Sequence, residues 1–226
     1  VMKILHFKFV VFFLVFQFTG LMAQDYPLNE EVKIYFDKDW RPTTIKDSAS
    51  YYRLITFKEK NIPLGKTKDY YISGELKTVF YSNYYDLDSI AYNGPQTEYY
   101  KNGNRKQLIY YMDGNLFGES TSYYESGEVE GRFNYVNDLV QDAGITYYES
   151  GAVKTRFNYV DGLVQGEGIY YYESGEVKLK LNFVDDLAQD EAIYYYETGE
   201  VESRFSYVDD LKQGEETSYY ETGELK

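Results

Sequence analysis

Between residues 145 and 166, apolar and polar positions alternate with a period of two. Ile145-Thr146-Tyr147-Tyr148 is β-branched and aromatic, and Glu149-Ser150-Gly151-Ala152 is polar with one glycine. Val153-Lys154-Thr155-Arg156-Phe157-Asn158-Tyr159 then alternates cleanly. This pattern predicts a strand, a tight turn in which glycine supplies positive φ, and a second strand. Val160-Asp161-Gly162-Leu163-Val164-Gln165-Gly166 reads as a longer return loop. Helix is excluded by the period and by the density of glycines.

The same unit recurs along the chain. Tyr-Tyr-x-(Ser/Thr/Asn)-Gly places its glycine at Gly103, Gly127, Gly151, Gly175, Gly199 and Gly223, each step being 24 residues. A degenerate copy ending at Gly74 lies 29 residues before Gly103, with the insertion expected in the Tyr81–Gly94 stretch. Five identical steps define a repeat protein in which each unit buries its apolar positions against its neighbours.

Setting Tyr148 opposite Val153 divides the side chains into two faces. One carries Tyr148, Val153, Thr155, Phe157 and Tyr159, with Leu163 folding over it from the loop. The other carries Ile145, Tyr147, Lys154, Arg156 and Asn158. The first is expected to hold the fold together, through Phe157, Leu181 and Phe205. The second is the candidate binding surface: Tyr99, Tyr123, Tyr147, Tyr171, Tyr195 and Tyr219 in line, beside Arg132, Arg156, Lys180 and Arg204. Aromatic rings flanked by cations suit protein partners, and sugar rings stack on them too. The plainer reading is that tyrosine supplies strand propensity and cross-strand packing while its hydroxyl stays wet on a single-layer sheet.

The ends of the chain differ from the repeats. Lys3 and Lys8 precede or flank the apolar run Phe9–Phe16, and Ala23-Gln24 closes the stretch, which reads as a secretory signal peptide over residues 1–23. The apolar segment is too short for a spanning helix, which needs about 20 residues. Residues 24–65 contain two further strand-like runs, Val32–Phe36 and Tyr51–Phe57, around an Asp37–Pro42 turn, and are expected to cap the array. The array is expected over residues 66–226. Gly223-Glu224-Leu225-Lys226 stops just after a turn, and the array is expected to continue beyond it in a longer reading frame.

Composition narrows the chemistry. The 226 residues include no cysteine and a single histidine, His6, which lies in the predicted signal peptide. Mechanisms needing an imidazole base, a thiol nucleophile or a Cys/His zinc site are thereby excluded, and no cofactor is expected. The net charge of −14 becomes −16 once Lys3 and Lys8 are removed, a surface that repels nucleic acid and anionic lipid headgroups. Acidic residues also recur with the repeat, as Glu149 and Glu173 in turns and Asp185-Asp186 and Asp209-Asp210 in loops. Equivalent positions two strands apart are about 10 Å from one another, too far to share a calcium ion, so turn chemistry explains them better than a metal site. No pair of carboxylates stands out as a glycosidase acid and nucleophile.

The units Tyr147-Tyr148-Glu149-Ser150-Gly151 and Phe157-Asn158-Tyr159-Val160-Asp161-Gly162-Leu163-Val164-Gln165-Gly166 resemble the MORN repeat in its bacterial variant, whose members are often labelled YwqK-family antitoxins. The resemblance implies an all-β, elongated antiparallel meander of hairpins and supplies no shared active site. Asp138, Asp186 and Asp210 replace the loop glycine seen at Gly162, and Asp142 and Asp190 replace that at Gly166, from which looser loops are expected. The function expected is that of an exported, non-enzymatic scaffold in the periplasm or on the surface of a Gram-negative bacterium. Its partner would be another envelope protein or a second copy of itself, the alternative being a glycan. An antitoxin role conflicts with export, because its target would be cytoplasmic.

Overall fold

The computed structural model describes residues 26–86 and 89–226, so the predicted signal peptide lies outside the described residues. Two compact units are formed, one ending at Gly94 and one running Pro95–Lys226. Among the described residues the only helical element is a short 3-10 turn, Lys46–Ser48. The other described residues lie in strands, turns and the short segments that join them.

The first unit holds β1 (Glu31–Phe36), β2 (Pro42–Thr43), β3 (Tyr51–Glu59), β4 (Ile62–Pro63), β5 (Thr67–Tyr71), β6 (Leu76–Phe80), β7 (Ser82–Asp86) and β8 (Ser89–Tyr92). β1, β3, β5 and β6 pair antiparallel in that order. β7 and β8 form a separate hairpin from the stretch that interrupts the repeat spacing. Alternation along β3 sends Arg53, Ile55 and Phe57 inward, where Ile55, Phe57 and Tyr85 form the buried core. Arg53 is buried with them and is satisfied by a bidentate pair to Asp69, Nε to Oδ1 at 2.6 Å and Nη2 to Oδ2 at 2.8 Å. Its guanidinium lies 5.0 to 5.3 Å from the rings of Phe36, Phe80 and Tyr85.

The second unit is a meander: β9 (Gly94–Tyr99), β10 (Arg105–Met112), β11 (Asn115–Leu116), β12 (Gly118–Tyr123), β13 (Val129–Val136), β14 (Leu139–Tyr147), β15 (Val153–Val160), β16 (Leu163–Val164), β17 (Gly166–Tyr171), β18 (Val177–Val184), β19 (Leu187–Tyr195), β20 (Val201–Val208) and β21 (Leu211–Ser218). From β12 onward each long strand pairs antiparallel with the next, one hairpin per 24-residue unit. The all-β class and the repeat are therefore as the alternation predicts.

Two details of the hairpin differ from the sequence reading. At the glycine turn, Gly151 N–H donates to the Tyr148 carbonyl and Tyr148 N–H to the Ala152 carbonyl, with Gly151 at φ 87°. That turn spends Tyr148 on Ala152, so Tyr147 and not Tyr148 stands opposite Val153, and the ladder slips at this point. At the other end, the expected long loop is a two-residue turn. Asp161 and Gly162 both have positive φ, Val160 stands opposite Leu163, and the strand resumes at once. Leu163 consequently projects beside Val160 and does not fold over Phe157.

The aspartates that replace glycine tighten these turns. Asp186 N–H donates to the Val164 carbonyl at 3.1 Å, while its Oδ1 accepts from Val164 N–H at 2.6 Å. Asp138 does the same with Leu116, and Asp210 with Ala188. Gly162 keeps only the backbone half of this clasp, to the Val140 carbonyl. The expectation of looser loops is thus reversed at Asp138, Asp186 and Asp210, because each carboxylate reaches the neighbouring hairpin and accepts from an N–H there, a bond glycine cannot make.

A second clasp runs along the opposite edge. The hydroxyls of Tyr100, Tyr124, Tyr148, Tyr172 and Tyr196 donate to the carbonyls of Tyr123, Tyr147, Tyr171, Tyr195 and Tyr219, at 2.7 to 2.9 Å. Each bond ties one hairpin to the next. Between the two edges, rings pack on one face: Phe157 meets Tyr170 at 5.3 Å and Phe183 at 5.7 Å, both edge-on. Leu181 and Phe205 are buried with Ala188 and Ala192. Gly168 is needed there for space: a Cβ would sit 2.6 Å from Phe157.

Candidate functional site

β15 shows how the surface is made. Val153, Thr155, Phe157 and Tyr159 are half-buried, while Lys154, Arg156, Asn158 and Val160 are exposed. The exposed side is the face predicted to bind, and cross-strand pairing fixes its rows.

The predicted cations do fall in line. Arg132 stands opposite Ile145, Ile145 opposite Arg156, Arg156 opposite Ile169, Ile169 opposite Lys180, Lys180 opposite Ile193, and Ile193 opposite Arg204. The result is one row of alternating cations and isoleucines, with cations two strands, or about 9.5 Å, apart. Arg204 is 3.4 Å from Glu191. Among the described residues no carboxylate comes within 4.0 Å of Arg132, Arg156 or Lys180.

The predicted tyrosines lie one level away. Tyr123, Tyr147, Tyr171 and Tyr195 stand opposite Val129, Val153, Val177 and Val201. All four, with Tyr99 and Tyr219, are half-buried. Their side chains form a separate row beside the cations, and the carbonyls of Tyr123, Tyr147, Tyr171, Tyr195 and Tyr219 take the hydroxyl clasps, so it is the second tyrosine of each Tyr-Tyr pair that locks the array. Lys154 and Lys178 turn toward those locking rings, with Nζ 5.7 Å from the Tyr148 centroid and 5.4 Å from that of Tyr172. Burial raises the hydroxyl pKa of Tyr124 and Tyr172, with the nearby glutamates adding to it.

Two rows escaped the sequence reading. The first is acidic: Glu119, Glu167 and Glu191 stand opposite Asn134, Asn182 and Ser206, one level from the cations on the side away from the tyrosines. The second is aliphatic and exposed: Val136 opposite Leu139, Val160 opposite Leu163, Val184 opposite Leu187, and Val208 opposite Leu211. Their exposure runs from 38% at Val136 to 65% at Leu211. The signal for them was present, since an Asp-Gly pair flanked by aliphatic residues marks a two-residue hairpin turn with its neighbours paired.

The acidic loops serve the turns. Asp161, Asp185 and Asp209 accept from the amides of Gln141, Gln165 and Gln189. Asp142 and Asp190 accept from Asn134 and Asn182 at 3.4 and 3.2 Å. Each of these five has positive φ, the conformation that aspartate tolerates better than most residues. The surface also has a depression of about 200 Å³ in the first unit, lined by Tyr26, Leu28, Phe57, Glu59, Lys60 and Asn61.

Four stretches of the chain, residues 92–113, 118–137, 164–185 and 212–226, match a family model described as the MORN repeat variant. The hairpins between them share the same period and clasps. No curated protein matches the chain.

Proposed function

The chain is built on repeats of the MORN variant family, and from that premise we propose that it is an exported, non-enzymatic scaffold that holds a protein partner in the cell envelope. The partner rests on the exposed face of the second unit. The observation that carries this reading is the row Arg132–Arg156–Lys180. In a chain of 37 acidic and 23 basic side chains, these three cations lie without a carboxylate partner among the described residues. They alternate with isoleucines and adjoin half-buried tyrosine rings, a composition typical of protein interfaces.

Affinity capture from envelope extracts tests the reading. Arg156→Glu together with Lys180→Glu is expected to abolish recovery of the partner while lowering the melting temperature by a few degrees at most, because Arg156 is exposed and Lys180 only half-buried. A glycan array run beside it separates the alternative ligand: binding there, with no protein captured, replaces a protein partner by a sugar. Export is tested by N-terminal sequencing of protein recovered from the envelope. A mature end at or near Gln24 is expected, and an intact first residue in the cytosol overturns the localisation.

A further inference from the structure

We propose that the partner on this face is a second copy of the chain, packed face to face about a twofold axis that runs across the strands. The inference rests on the scaffold reading above and names its partner.

The order of rows on the face carries the argument. On the β17–β18 pair, Tyr171 stands opposite Val177, Ile169 opposite Lys180, and Glu167 opposite Asn182, while Val184 follows two residues on. From one edge to the other the face therefore reads tyrosine, cation, glutamate, aliphatic, each level about 6.6 Å from the next. A copy placed with its axis parallel to the strands would lay cation on cation, and like charges opposed across an interface are disfavoured. A copy placed with its axis across the strands, between the cation and glutamate levels, reverses the order. Its Glu119, Glu167 and Glu191 then lie level with the cations, one strand aside and across the isoleucines, and its Val-Leu pairs lie against the Tyr-Val pairs. Both matches occur twice, once on each side of the axis.

Two further features agree. A second copy has the same 24-residue period, so every rung finds its counterpart at the same spacing. The Val-Leu pairs form a continuous exposed apolar stripe four repeats long, a feature that soluble monomers rarely leave uncovered. In the isolated unit nothing among the described residues covers it, whereas the reversed copy does so with aromatic rings.

Sedimentation equilibrium of the full chain tests the proposal. A dimer is expected, and Leu139→Glu/Leu163→Glu/Leu187→Glu should weaken it by ~100-fold or more, since three charges would be buried against rings. All three leucines are exposed in the single chain, so at concentrations where the parent is itself monomeric the two melting temperatures should agree. Charge reversal gives a second variant free of the aliphatic row. Arg156→Glu should weaken the dimer, and adding Glu167→Arg should restore it. Orientation is read from disulfides, because the chain has no cysteine of its own. Leu163→Cys mixed with Tyr171→Cys should give a cross-linked pair, while Leu163→Cys alone should not. A monomer at all concentrations overturns the proposal, and leaves the scaffold reading intact if envelope capture still recovers a different protein. A dimer indifferent to the glutamate triple, or a disulfide from Leu163→Cys alone, overturns it as well.

Discussion

The hydroxyl of Tyr148 donates to the main-chain carbonyl of Tyr171, 2.7 Å away and one hairpin further along the chain. The motif's two adjacent tyrosines therefore have different duties. The first offers a ring to the surface and a carbonyl to its predecessor; the second reaches forward and locks the next unit. In a repeat array, stability depends on such nearest-neighbour terms as much as on each unit.

Replacing the second tyrosine should therefore cost stability where replacing the first does not. Tyr148→Phe keeps the ring and removes the donor, leaving the Tyr171 carbonyl short of a partner, for an expected loss of about 1 kcal/mol. Tyr171→Phe leaves the carbonyl in place and is expected to be neutral. Urea denaturation of the two variants side by side checks the difference, and equal losses would mean that the hydroxyl of the first tyrosine matters too.

The same clasps make the array sensitive to alkali. A phenolate cannot donate, and burial raises the Tyr124 and Tyr172 hydroxyls above their usual pKa of 10.0. A folded-state pKa above the unfolded one means that the contribution is complete below about pH 10 and is lost as pH rises through the raised value. Circular dichroism followed together with phenolate absorbance should show strand loss accompanying tyrosine ionisation, with no comparable loss between pH 7 and 9.

Aspartate at the two-residue turns gives a further contrast. Asp186→Ala removes the bond to Val164 N–H and places alanine at φ 70°, so about 2 kcal/mol should be lost. Asp186→Asn keeps an acceptor and tolerates the same backbone, and should cost well under half as much. Thermal melting of the pair distinguishes a clasp from a charge effect.

These turns also show where reading the sequence stops. The glycine turn at Gly151 and the alternation from Thr155 to Tyr159 were legible, because both depend on residues adjacent in the chain. The turn at Asp161-Gly162 was hidden by the bulge that follows it, since extra residues between Val164 and Ile169 break the period and imitate a loop. At Asp185-Asp186 the glycine is missing as well, and only the positive φ of both aspartates reveals the turn. The cation row was legible because its members recur at one position of the repeat. Ile145 was placed on the same face as Arg156, whereas the Val-Leu stripe was not legible, because it depends on the two-residue turn that pairs Val160 with Leu163. The tyrosine clasp joins residues 23 apart across two hairpins and needs the spatial stacking of units.

Packing at Gly168 provides a test of the inner face. Its backbone is one any residue can adopt, yet a Cβ would lie 2.6 Å from Phe157 and 2.7 Å from Phe183. Gly168→Ala should therefore destabilise by about 1–3 kcal/mol through overpacking. Phe157→Leu made in the same chain should recover part of that loss by opening space. Without such recovery, the cost would have to arise elsewhere than in the contact with Phe157.

The first unit can be tested through its buried ion pair, where the expected costs are strongly asymmetric. Arg53 and Asp69 are both buried and joined by two hydrogen bonds, and Phe36, Phe80 and Tyr85 surround the guanidinium. Desolvating two charges offsets most of what their attraction contributes, so the intact pair adds little beyond what apolar residues of the same volume would supply. Removing one partner is different, because it strands the other charge among aromatic rings. Asp69→Leu should cost about 3–5 kcal/mol. The double variant Arg53→Met/Asp69→Leu should be far less damaging, since the thioether fills the aromatic cage and no charge is left behind. Chemical denaturation followed by the fluorescence of Trp40, 5.8 Å from the Arg53 guanidinium, reports on this unit specifically, because the chain has no other tryptophan. If the double variant proves as unstable as Asp69→Leu, the pair stabilises the unit by more than charge compensation, and the geometry of its two hydrogen bonds must be what orders the sheet around it.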